Sequence, residues 1–261
     1  MGAGRVVEVL ARTGGFSTKV VRRRLFETTQ HTLQVTMSLD SIKPGGDGMV
    51  SSVRVRLLHA AVRRRILKLA ETKPEYYSVE EHGIPVNDMD SIGTIATFST
   101  LLVWLGLPRQ GIYMRENEVK DYIALWRLVA YYMGTPTEPF KDPDTARKML
   151  ESILAYEIKP TDMSQVLANN IITGLENTAP TYASRGFSEA NAWWLNGSEL
   201  ATALGIKKPT LYYRAVMLGY CIFVCTVCYS SRIFFFLDKL QIAVRTLPHN
   251  QTNQTQLTRY L

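Results

Sequence analysis

The feature that most constrains this fold is the stretch from Val50 to Glu71, where apolar residues return every three or four positions and neither glycine nor proline interrupts them. That period marks one face of an α-helix and is incompatible with the two-residue alternation of a half-buried strand. At about 100° per residue, Val55, Leu58, His59, Val62, Ile66 and Leu69 fall on one stripe. Arg54, Arg56, Arg63, Arg64 and Lys68 lie off it. His59 therefore occupies the centre of an apolar face, with Ala60 and Ala61 beside it.

The rest of the chain continues in the same period. Helices are expected from Arg5 to Arg12, from a cap at Ser17 or Thr18 to about Met37, and from about Met89 to Leu105. Further helices are expected over Glu116–Met133, Pro143–Tyr156, Thr161–Thr173 and Ser198–Leu204, with a long apolar one beginning near Pro209. The segments SLDSIKPGGDG and TKPEYYSVEEHGIPVND read as connections. No convincing strand alternation occurs, so the expected fold class is all-α. The organisation is a single helical domain over residues 1–245, followed by a polar tail, 246–261, too poor in apolar residues to fold.

Charge narrows the partners. Thirty Lys and Arg against 23 Asp and Glu give a formal net charge of +7, gathered in Arg22-Arg23-Arg24 and between Arg54 and Lys68. Such a surplus suits an anionic surface or a carboxylate-bearing cofactor. No basic stripe interleaved with exposed aromatics supports nucleic acid as a partner. The three cysteines, Cys221, Cys225 and Cys228, show a C-x3-C-x2-C spacing, which iron–sulfur enzymes also use. Here the spacing lies inside an apolar run, where buried helical thiols are the plainer expectation. Residues 215–229 carry no charge, with Arg214 and Arg232 at the edges, a pattern shared by buried, interfacial and membrane-crossing helices. Oligomeric state leaves no trace in the sequence.

Two patterns bear on chemistry. An imidazole projecting from a helix into an apolar slot, with small residues beside it, is what an axial haem ligand requires; a core histidine satisfied by one hydrogen bond gives the same pattern. On the preceding helix Arg24, Thr28, His31 and Val35 share one face at spacings of four, three and four. An arginine and a hydroxyl one turn apart could orient an oxygen species, and they could equally form a solvated face. His31 competes with His59 as ligand, or serves as a proton donor.

Taken together, RRRLFETTQ, SVRVRLLHAAVRRRI, GIPVNDMDSIGTIATFSTLLVWLG and YIALWRLVAYYMG, in this order, resemble the mpaB/latex-clearing-protein (rubber oxygenase) family, in its fungal, endoplasmic-reticulum-bound oxygenase-like branch. The likeness runs from about residue 8 to about 205. It implies an all-α fold enclosing a pocket for haem b, with its iron on His59, the histidine of V-R-x2-H-A-x-V-R. Arg56 and Arg63 are the neighbours expected to hold the cofactor. The resemblance makes Arg24 and Thr28 the pair on the opposite side of the haem, and Glu8, 16 residues before Arg24, the base. Where some members carry a lysine before the threonine, this chain has Glu27. The implied activity is oxidative cleavage of a C=C bond in a hydrophobic, isoprenoid or prenyl-type substrate by dioxygen. Phe98, Leu101, Leu102 and Trp104 are candidates for the apolar wall. Membrane association, at the endoplasmic reticulum, is the implied location, with the cytoplasm as the other. The alternative from a different class is a non-catalytic haem-binding or membrane-associated helical protein, a truncated relative that keeps the fold.

Overall fold

The computed structural model describes residues 1–233, so the expected tail at 246–261 lies outside the described residues. Every regular element within them is helical, and the chain forms a single helical domain. In chain order the α-helices are α1 (Gly4–Arg12), α2 (Val21–Thr36), α3 (Leu39–Ile42), α4 (Asp47–Thr72), α5 (Val79–His82), α6 (Asp88–Phe98) and α7 (Glu116–Met133). They are followed by α8 (Pro143–Tyr156), α9 (Asp162–Leu175), α10 (Arg185–Asn196), α11 (Ser198–Ala203) and α12 (Leu211–Ile233).

Caps explain many of the boundaries. Ser38, Ser78, Asn87, Asp142, Thr161 and Ser184 each accept a hydrogen bond from a first-turn backbone N–H, satisfying donors that the helix leaves unpaired. The GIPVNDMD motif forms one of these caps. The Asn87 side chain accepts from the Asp90 N–H at 2.9 Å, and the Asp90 carboxylate accepts from the Asn87 N–H at 3.2 Å.

The main core lies where α2, α3, α6, α7 and α8 converge. Val35, Ile42, Ile95, Ile123, Trp126, Val129, Phe140 and Ala146 are buried in it, and burying each large side chain contributes about 1.5–3 kcal/mol. Phe98 and Trp104, two of the expected wall residues, pack on this core, with Phe98 stacked on Trp126 at 5.5 Å. Behind it α1 rests on the C-terminal half of α4 through Val9, Ile66 and Tyr77.

Candidate functional site

The site is the seam between α2 and α4. They approach closely at Gly48, where an added Cβ would stand 2.8 Å from the Gln34 carbonyl and 3.0 Å from the Val35 Cα. One turn on, His31 Nδ1 lies 2.8 Å from Ser51 Oγ. These contacts set an antiparallel register that, extended along the pair, brings Arg24 and Thr28 level with His59 and Val55.

His59 is half-buried on α4, and neither ring nitrogen has a hydrogen-bond partner among the described residues. Burial pushes its imidazole below the ordinary histidine range, and the Arg63 guanidinium acts in the same direction. His31 is lowered first by burial and then by the nearby His59. Both rings are therefore held neutral, the form that ligates metal. The stripe around His59 is less covered than its periodicity suggests. Ile66 is buried, but Leu58 is 44% exposed, and its neighbour Leu57 64%.

The other expected residues are placed as follows. The Arg24 guanidinium donates to Glu27 at 2.9 Å, and Glu27 also pairs with Arg23 at 3.3 Å. The Thr28 hydroxyl donates to the Arg24 carbonyl at 3.0 Å. Glu8 pairs with Arg12 at 3.3 Å on α1. Arg56 lies against Gly134 at the C-terminal end of α7, where a cation complements the helix dipole. Arg63 donates to the carbonyls of Pro85 and Val86, bracing the turn that starts α6. The structure thus gathers His59, His31 and the α2 face at one seam, while Glu8, Arg56 and Arg63 are engaged elsewhere. Sequence reasoning passed over Ser51, whose hydroxyl fixes the His31 ring. Its position eight residues before His59, within about 80° of it around α4, was the available signal.

Two further features lie away from the seam. An open basin of about 650 Å³ runs along Ala61, Arg64, Arg65, Lys68 and Thr72, on the side of α4 turned from His59. The cysteines sit along α12. Cys221 is buried, and the Cys225 thiol donates to the Gln110 carbonyl at 2.9 Å. Among the described residues no three His, Cys, Asp or Glu side chains are placed to hold a metal ion.

Residues 1–225 match the family described as "ER-bound oxygenase mpaB/B'/Rubber oxygenase, catalytic domain". The chain belongs to this family. Among curated proteins, this mpaB/rubber-oxygenase family member is similar to the rubber oxygenase of Streptomyces sp. (strain K30), at 23% identity over 186 residues. That alignment takes in 68% of this chain and 43% of the relative, so the chain spans less than half of the relative's length. Among solved structures it resembles the latex clearing protein LCP in the closed state, with a TM-score of 0.67 and 19% identity. That likeness covers 85% of this chain and 61% of the other, and it shows a shared helical fold.

Proposed function

We propose that this family member is a haem b-dependent oxygenase that cleaves a C=C bond of a hydrophobic, isoprenoid-type substrate with dioxygen. The observation that carries the proposal is His59: a half-buried imidazole held neutral by burial, with neither nitrogen partnered among the described residues. A haem iron takes four ligands from its porphyrin, so one such imidazole would be enough to hold it. When bound, the haem supplies the redox chemistry with dioxygen.

The chain's own residues do the remaining work. His59 anchors the cofactor, and burial keeps it unprotonated. Arg24 brings a fixed positive charge to the facing helix, and one such donor on developing negative charge lowers a barrier by about 3 kcal/mol. Exposed Leu58, on the same stripe, offers an apolar surface beside the ligand, suited to a hydrocarbon. For Glu8 to serve as base, its pair with Arg12 opens.

A second function class, a haem-binding protein without turnover, draws on one specific observation. Glu27 pairs with both Arg23 and Arg24 and offsets part of their charge. Spectroscopy and oxygen uptake separate the two. A Soret band and a b-type pyridine haemochrome are expected from the purified chain, with oxygen consumed when a prenylated phenol or polyisoprene is added. Absence of the haemochrome after reconstitution refutes both.

A further inference from the structure

We infer that α12 is an in-plane anchor for an anionic lipid bilayer, its outer arc resting in the headgroup–acyl boundary. This does not rest on haem binding. Two described stretches are long and apolar enough to cross a membrane, Asp88–Gly106 and Leu211–Ile233. A third of the first is buried, much of it in the main core, but only 11% of the second. On α12, Leu211 is 81% exposed, Ile222 59%, Phe223 65% and Ile233 74%. With Val216 and Leu218 they spread over the side of the helix opposite buried Met217 and Cys221, an arc that holds no charged residue.

The inner side is committed to the protein along the length of the helix. Met217 and Cys221 pack on Ala190 of α10. Near the start, the Ser184 hydroxyl donates to Tyr213 Oη at 3.4 Å. Near the end, Tyr113 N–H donates to Tyr229 Oη at 3.1 Å, and Arg232 donates to Glu118 at 2.8 Å. At 23 residues the helix is about 34 Å long, enough to span a bilayer. Standing upright, however, it would draw the packed α10 and its polar groups, the Arg185–Glu189 ion pair among them, into the bilayer. Lying flat leaves them in water and buries only the apolar arc.

Charge selects the occupant. Residues 200–233 contain Lys207, Lys208, Arg214 and Arg232 and no acidic residue. Lys207, Lys208 and Arg214 are exposed where the chain enters α12. A bilayer with anionic headgroups matches cations at the edge of an apolar arc. A second copy meeting through the same face would bring no carboxylate from this stretch to answer them.

The test is flotation of the full chain with vesicles of phosphatidylcholine alone or mixed with phosphatidylserine. Binding to the mixed vesicles is expected, weakening with salt. Ile222→Glu with Phe223→Glu is expected to lower the bound fraction about tenfold while leaving helicity and melting intact. Leu211→Glu with Val216→Glu repeats the test on the same arc should the first pair unfold. Lys207→Glu with Lys208→Glu should remove the preference for phosphatidylserine. With cysteines added one at a time as Tyr212→Cys and Ile233→Cys, an impermeant maleimide applied outside the vesicles should label both ends equally over the parent chain. Any one of several results overturns the inference: no flotation, flotation indifferent to both glutamate pairs, one end protected as in a spanning helix, or glutamate pairs that merely convert a dimer to a monomer.

Discussion

His31 and His59 share the seam between α2 and α4, His31 fixed to Ser51 at 2.8 Å and near enough to His59 for their positive charges to repel. Burial is the larger influence on each, and every cause resolved for them acts downward. The folded chain therefore takes up these protons at lower pH than the unfolded chain, whose histidines titrate at about 6.5. Stability is complete above that pH and falls as acid protonates the unfolded state first. The apo chain should melt at a lower temperature at about pH 5.5 than at about pH 7.5, and His31→Gln should narrow the gap. Identical melting at both values, in parent and variant, would remove the seam as an acid-sensitive element.

Both imidazoles keep a nitrogen open for ligation: Ser51 engages only Nδ1 of His31, and His59 has no hydrogen-bond partner among the described residues, so mutation decides between them. His59→Ala should abolish the Soret band of the purified protein, and His31→Ala should retain it with altered intensity or position. A Soret band that survives His59→Ala with unchanged axial ligation transfers the ligand role elsewhere.

Arg24 is shared with Glu27, and that pairing sets the charge available at the site. Arg24→Ala should leave haem content unchanged and cut oxygen turnover by about 10²–10³-fold, the usual loss for one electrostatic donor. Glu27→Gln, which releases the guanidinium, should raise turnover or leave it level. Stoichiometric haem with no oxygen uptake in the parent chain and in Glu27→Gln alike would favour the carrier over the enzyme.

Periodicity made α4 and the apolar setting of His59 legible before any coordinates, because a 26-residue helix repeats its signal many times over. It could not say what covers the stripe. Leu58 belongs to the same repeat as Ile66, yet Ile66 meets α1 and Leu58 stands open. The expected single helix from Met89 to Leu105 instead breaks at Ser99 and resumes as a π-turn over Leu102–Gly106. Buried Ser99 and Thr100 turn their hydroxyls back onto the carbonyls of Ile95 and Ala96, a competition that hydropathy does not register. Helix α10 was missed because Gly186 looks like a breaker. In the fold it is the spot where the Tyr213 ring lies against the helix, with an added Cβ only 2.1 Å from Cε2. Ser184 as cap and Gly197 as stop were its readable marks.

Gly48 sets the width of the seam, so replacing it tests the geometry without touching any chemical group. The atoms an added Cβ would meet are all backbone: Gln34 O at 2.8 Å, and Ser41 O and Val35 Cα at 3.0 Å. Backbone cannot rotate aside, so Gly48→Ala must move α2 away from α4, and the His31–Ser51 contact one turn on moves with it. Overpacking of this kind costs about 1–3 kcal/mol, outweighing the better helix propensity of alanine, about 1 kcal/mol. Gly93→Ala, inside α6 with nothing within 4 Å of the new methyl, should be neutral or stabilising. Urea unfolding of the pair should separate them clearly, and haem affinity should fall in Gly48→Ala alone. Equal tolerance at the two positions would mean that α2 and α4 are not held at this distance, and that the seam is not what positions His59.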